Sequence, residues 1–214
     1  LALAGLPLRP LRRALSMAAL RRSGRRIHVV LLQLCHDASF RAHADLPDQA
    51  AFIARVTAAF AAAAPPDDLL VFKQHPLADG RSRTRRSIAQ AARAHGVAGR
   101  VRLIPPGRLA PLLDRAASVV TATSTAAQQA LWRGIPVRAL GRAIYTRAGL
   151  TSDQPLEAFF AAPTLPDPAS YARFRTWVLT TCQIEGSFYT RAGATAAAQE
   201  AARRMMAQVT PDDA

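Results

Sequence analysis

The sequence predicts an α/β fold, a doubly wound, parallel, Rossmann-like sheet. Short runs rich in Val and Ile alternate with helical stretches from Ile27 onward. The first two runs are apolar nearly throughout rather than at every second residue, as in strands covered on both faces. Gly and Pro punctuate the joins between them. Ile27 to Leu34 reads as the first strand. Asp48 to Ala63 reads as a helix, opened by Pro47-Asp48 and stopped by Pro65-Pro66. Leu69 to Phe72 is the second strand, and Arg83 to His95 a helix closed by Gly96. Val101 to Ile104 is the third strand, ended by Pro105-Pro106-Gly107, with a short helix over Leu109 to Ala116. Ser118 to Ala122 is the fourth strand, Ser124 to Arg133 a helix closed by Gly134, and Ile135 to Leu140 the fifth strand. Beyond Gly141 the chain turns to loop and helix, with helices at Leu156 to Phe160, Pro168 to Cys182 and Arg191 to Met206. No internal repeat is visible.

Half of the 214 residues are hydrophobic, enough for a sizeable core and too many for a disordered chain. No window approaches the roughly 18–20 consecutive apolar residues of a membrane span. Because the first residue is Leu1 rather than methionine, a fragment lacking an N-terminal part is expected. Cys35 and Cys182 have no metal or redox spacing, which points to a reducing compartment without disulfides.

The net charge of +14 fits an anionic partner, whether nucleic acid, an anionic membrane surface or an anionic substrate, or reflects in part an Arg-rich, Ala-rich genome. Aromatics make up only 6%, are not interleaved with arginines, and accompany no nucleic-acid module string, so nucleic acid is not expected. Residues 1–26 carry Arg9, Arg12, Arg13, Arg21, Arg22, Arg25 and Arg26 and no acid. A transit peptide, a membrane-surface helix, an interdomain linker and the ragged start of a fragment all fit this stretch. The linker and fragment start come first, the membrane surface second. The expected organisation is residues 1–26 as a basic linker or the end of a missing N-terminal domain, and 27–214 as one Rossmann-like domain with C-terminal helices.

Open parallel sheets bind ligands beyond the C-terminal ends of their strands. Three polar strings fall there: Gln33-Leu34-Cys35-His36-Asp37-Ala38-Ser39, Lys73-Gln74-His75-Pro76, and Thr121-Ala122-Thr123-Ser124-Thr125. Lys73 is the single lysine among 28 basic residues. A compact ammonium suits a phosphate or carboxylate pocket, although one lysine also has to fall somewhere by chance. Thr123-Ser124-Thr125 opens a helix straight after a strand, where free amides and the dipole attract phosphate. Ser and Thr are also ordinary N-caps, but with Lys73 and His75 on the same edge an anion site is favoured. His75, its backbone restricted by Pro76, reads either as a phosphate donor or as a structural loop histidine. Asp37 reads equally as a nucleophile or base and as a turn or helix cap. His28, His43 and His95 lack ligand spacing, so neither a metal nor a cofactor is expected. No glycine-rich phosphate loop is present.

The strings VFKQHPL (71–77), VVTATSTAAQQALWRGIPVRALGRAIYTRAGLT (119–151) and EGSFY (185–189) resemble the bacterial capsule polysaccharide Kdo transferases, with the resemblance running from about Ile27 to about Tyr189. The resemblance implies the C-terminal donor-binding domain of a two-domain, GT-B-type glycosyltransferase. Residues 27–214 would then form its nucleotide-sugar-binding domain, moving the acidic sugar Kdo from CMP-Kdo to an anionic glycolipid during capsule biosynthesis. It places His75, Pro76, Ser124 and Thr125 near the donor phosphate, with Lys73 at the basic position before His-Pro. Gln33 and Asp37 match a Gln-x-x-x-Asp element whose aspartate is the candidate nucleophile of a retaining, metal-independent transfer. The chain departs from the family at Thr123, where asparagine is common, at Ala127, where glycine is common, and at Ser39, where some members have glutamine. The implied location is cytoplasmic, peripheral to the inner membrane, alongside other capsule assembly proteins. The competing functions are a transferase of the same fold using a UDP- or GDP-sugar, and a non-catalytic module associated with capsule export.

Overall fold

The computed structural model describes residues 8–34, 36–78, 83–187 and 189–207, with side chains from residue 14 onward. Cys35, Phe188 of the EGSFY string and the first seven residues of the basic stretch lie outside the described residues. The chain divides into two compact units, Leu1–Pro168 and Ala169–Ala214.

The first unit carries all five strands: β1 (Ile27–Leu31), β2 (Leu69–Lys73), β3 (Val101–Ile104), β4 (Ala116–Thr121) and β5 (Val137–Ala139). They form one sheet in the order β3-β2-β1-β4-β5, and every pairing is parallel. Each expected strand is present, the first and fifth shorter than the apolar runs that announced them. The helices of this unit are α1 (Leu8–Ser23), α2 (Ala38–His43), α3 (Gln49–Ala63), α4 (Thr84–Ala94), α5 (Ala110–Leu113), α6 (Gln128–Leu131) and α7 (Leu156–Ala161).

All five residues of β1 and of β2 are buried, so both faces of the sheet are covered. On one face Val30, Phe72 and Val120 meet Phe52, Val56 and Phe60 of α3, Ile88 of α4 and Phe159 and Phe160 of α7 in a single core. The opposite-facing Val29, Val71, Val119 and Val137 are equally buried, as are Leu112 and Leu113 of α5 and Ala130 and Leu131 of α6. Helix α1 packs along β3 and buries Leu20.

Local signals explain the helix ends. Asp48 caps α3 by accepting from the Ala51 amide at 2.7 Å. Residues 8–23 of the basic stretch are helical because Leu, Ala and Arg dominate them, and Gly24, at φ 63°, ends α1. Helix α2 was not anticipated, since it buries only Phe40 and therefore shows no apolar period. The helix expected over Leu109 to Ala116 is a single turn, because Ala116 already belongs to β4. The one expected over Ser124 to Arg133 is a 3-10 turn at Thr125–Ala127 running into α6.

The second unit is helical. Helix α8 (Pro168–Trp177) continues as a π-helical turn, Val178–Cys182, and α9 spans Arg191–Ala207. Gly186 of the EGSFY string lies against the start of α9: a Cβ there would stand 2.6 Å from the Gly193 carbonyl oxygen. Glu200 on α9 bonds to Arg203 and Arg204, which hold its carboxyl down at about 2.

A polar cluster is sealed into the first unit at the N-terminal half of β1. His28 donates from Nε2 to Asp68 Oδ2 at 2.8 Å and accepts at Nδ1 from the Ser118 hydroxyl at 2.7 Å. The rings of Phe60 and Phe160 meet the imidazole edge-on at 5.9 and 5.2 Å. Burial holds the His28 pKa below its ordinary 6.5, against the opposing pull of Asp68. The unfolded chain therefore binds a proton that the folded chain refuses, and this contribution to stability is lost as pH falls below about 6.5. Urea unfolding between pH 7.5 and 5 should show stability falling with acid, by at most about 1.4 kcal/mol per pH unit for this one group. His28→Gln should flatten that slope; an unchanged slope would rule His28 out as its source.

Candidate functional site

The strand ends finish level. Lys73 pairs with Leu31 and with Ile104, and Leu31 pairs with Thr121. The polar strings after β1, β2 and β4 therefore leave the sheet on one edge. β2 and β3 lie on one side of β1, and β4 and β5 on the other, so the winding reverses between β1 and β4. Open parallel sheets bind ligands at such a reversal.

A cavity of about 460 Å³ opens at this edge. Leu31, Leu32, Leu109, Ala110 and Ala126 give it an apolar wall; Lys73, Gln74, His75, Arg108, Ser124 and Gln129 give it a polar one. Four of the residues expected at the site, Lys73, His75, Pro76 and Ser124, are brought together here. Gln33, Asp37 and Thr125 are not among its lining residues.

Lys73 is buried, and its ammonium donates to the carbonyls of Gln74 at 2.8 Å and Pro105 at 3.0 Å. It thereby ties the loop after β2 to the loop after β3, and its charge stands in the cavity wall. Arg108 lines the same cavity from the β3–α5 loop and is exposed. It is the cation best placed to move onto an anion there. No local pattern singles Arg108 out, since one arginine among so many carries no signal.

His75 accepts the Leu77 amide on Nδ1 at 3.1 Å. The neutral ring then carries its proton on Nε2, which makes it a donor. Ser124 is held on every side, its carbonyl also accepting from the Ala127 amide at 3.1 Å. Its hydroxyl accepts from the Ala126 amide at 3.3 Å, its amide donates to Thr121 Oγ1 at 3.3 Å, and its carbonyl accepts from the Tyr145 phenol at 2.6 Å. Burial pushes the Tyr145 phenol well above its ordinary pKa, so it remains a donor. Tyr145, fully buried, is a supporting residue that no local pattern announces. The helix after Ser124 is so short that its dipole adds little to an anion site.

Gln33 braces the crevice. Its Nε2 donates to Thr123 Oγ1 at 3.1 Å, and its Oε1 accepts from the Thr123 amide at 3.0 Å. Its carbonyl accepts from Gln49 Nε2, and Gln49 Oε1 accepts from Thr84 Oγ1 at 2.8 Å, linking the starts of α3 and α4 to the same point. Asp37 caps α2, with Oδ1 accepting from the Phe40 amide at 3.0 Å. Gly141 allows the end of α2 to approach: a Cβ there would stand 2.6 Å from His43 O and 2.7 Å from Thr123 Cγ2. The Ser118-His28-Asp68 set has the residue types of a hydrolase triad. All three side chains are buried away from this edge, so the set is structural.

The two cations should separate on substitution. Lys73→Met loses charge-assisted bonds to two carbonyls and should cost about 1.5–3 kcal/mol in chemical denaturation. Arg108→Gln should stay within about 0.5 kcal/mol of the parent. Equal stability of both variants would remove Lys73 from its tying role.

A family profile described as capsule polysaccharide biosynthesis protein matches residues 12–189. The capsule polysaccharide modification protein LipB of Neisseria meningitidis is 33% identical over 164 residues, 76% of this chain and 39% of that protein. The capsule polysaccharide export protein KpsS of Escherichia coli is 30% identical over 164 residues, covering 77% of this chain and 42% of that protein. This chain thus spans about two fifths of the length of the curated relatives it matches. Among solved structures, the Thermosulfurimonas dismutans beta Kdo 2,7 transferase KpsC overlays with a TM-score of 0.44 at 20% identity, over 70% of this chain and 50% of that one. Anabaena HepE, in complex with UDP and glucose, overlays with a TM-score of 0.46 at 16% identity, over 92% and 46%.

Proposed function

The chain belongs to the capsule polysaccharide biosynthesis protein family, and on that footing we propose that it is the donor-binding domain of a GT-B-type glycosyltransferase that moves Kdo from CMP-Kdo to an anionic membrane glycolipid. The observation that carries this reading is the cavity at the winding reversal, where an apolar wall faces His75, Ser124, Lys73 and Arg108. A nucleotide sugar needs both walls: an apolar slot for the base, and donors with positive charge for phosphate and sugar carboxylate.

In this reading the His75 Nε2–H and the Ser124 hydroxyl donate to the phosphate, Arg108 closes on it, and the fixed Lys73 adds its field. Negative charge grows on the departing CMP as the glycosidic bond breaks, and donors already aimed at that position lower the barrier. These groups take the part a divalent metal plays elsewhere, so the transfer is proposed to need none. Asp37 is the proposed nucleophile. With Oδ1 holding α2, Oδ2 attacks the anomeric carbon as CMP leaves, and an acceptor hydroxyl then displaces the carboxylate.

The net charge of +14 suits an anionic acceptor surface, and we place the protein at the cytoplasmic face of the inner membrane. Among the described residues no helix is long and apolar enough to cross a membrane. Each basic residue near such a surface contributes roughly 1 kcal/mol, screened over about 10 Å at 0.1 M salt. Co-sedimentation should therefore favour anionic over neutral vesicles and weaken with salt; equal pelleting with both would refute the electrostatic account.

Calorimetry of this chain with CMP, UMP and GMP in EDTA tests the donor. CMP should bind most tightly. Binding that appears only with Mg²⁺ or Mn²⁺ would sink metal independence, and a preference for UMP or GMP would move the donor to another nucleotide class. His75→Ala and Ser124→Ala should each weaken CMP about ten-fold or more. Asp37→Ala should leave CMP affinity unchanged and abolish transfer by the full-length protein. Near-normal transfer would return Asp37 to a capping role alone.

A further inference from the structure

We infer that a second cavity, at the outer edge of β5, is a binding site for a sugar bearing a carboxylate or phosphate. It shares no lining residue with the cavity at the winding reversal. Its volume is about 350 Å³, and its walls are residues 146–153 and 164–166, with Arg138 of β5 between them. That volume lies at the small end of ligand pockets, suited to a single sugar residue.

The cavity is built rather than a gap between loops. Gln154 Oε1 accepts from the Ser152 hydroxyl at 2.9 Å, the Thr164 amide at 3.0 Å and the Thr164 hydroxyl at 2.9 Å, pinning the two walls together. Away from Gln154, the Asp167 amide donates to the Gly149 carbonyl at 2.7 Å. The Ser152 amide donates to the Val137 carbonyl at 2.8 Å and fixes the first wall to the sheet.

One cation in this frame, Arg138, has no acid bonded to it among the described residues. Arg138 is half-buried, its guanidinium held by bonds to the carbonyls of Gln154 and Ala139, both at 2.7 Å. No carboxylate stands within ion-pair distance of it among the described residues. Burial, and then the like charge of Arg55, push its pKa below the ordinary range, with Asp153 opposing from a distance. Arg147 also lines the cavity, and Asp153 is the single acid that does. A partly desolvated guanidinium without a carboxylate partner favours an incoming anion. The hydroxyls of Thr151 and Thr164 suit sugar hydroxyls, and Leu150, Leu165 and Pro166 offer an apolar surface for a ring face. The lining includes residues 146–151, the end of the family-like string, to which the donor cavity assigns no role.

Ligand-observed NMR on this chain with glucuronate, glucose 1-phosphate and glucose tests the site. One or both anionic sugars should bind and neutral glucose should not; whichever anion binds more tightly identifies the group recognised. Arg147→Gln, at an exposed position, and Arg138→Gln, checked for folding by thermal melting, should each weaken binding ten-fold or more. Ser124→Ala and His75→Ala should not change it. Three outcomes would overturn the site: no binding by either anionic sugar, binding that persists in Arg147→Gln and in folded Arg138→Gln, or binding lost with Ser124→Ala. None of them bears on CMP affinity, so this site and the donor cavity stand or fall separately.

Discussion

Everything at the polar edge depends on the register in which β1 sits between β2 and β4. Side chains alternate across a sheet, so a slip of one residue would carry Val30, Phe72 and Val120 out of the core shared with α3 and α7. The same slip would separate Leu31 from Lys73 and Thr121, the pairs that bring three polar strings to one level. Core packing therefore aligns the site. Two polar braces then hold the loops beyond the strand ends: Gln33 to Thr123 across the winding reversal, and Lys73 to Pro105 between the loops after β2 and β3.

The two ends of the sheet handle buried polarity differently. At the N-terminal half of β1, His28 is fully paired with Asp68 and Ser118 beneath two phenylalanine rings, and nothing there is left to meet a ligand. Toward the C-terminal end, buried polar groups hold others in place while less buried ones face the cavity. Lys73, Gln33 and Tyr145 are buried and occupied with backbone or neighbouring side chains. His75, Arg108 and Ser124 are the less buried groups they support. That division suits a site whose donors must be aimed before a charged ligand arrives.

Tyr145 connects two regions. Its phenol holds the carbonyl of Ser124, and the residue after it, Thr146, begins the wall of the cavity beside β5. One family-like string thus serves as support for one cavity and lining for another.

β1 and β2 were legible because strands buried on both faces are nearly unbroken apolar runs, the other three because short Val- and Ile-containing stretches alternate with helices, and the start of α3 because Asp48 is an unambiguous cap. The shared polar edge also followed, since parallel strands with helical crossovers must all end on the same side. The one-turn α5 and the buried Phe40 of α2 left no period to read. Partner choice was hidden more deeply. Gln33 meets Thr123 across 90 residues, and Lys73 meets Pro105 across 32. Residue type and local spacing carry propensity and charge; whether an ammonium faces a ligand or a carbonyl depends on which distant loop the packed core brings within 3 Å, and that is fixed only when the sheet closes.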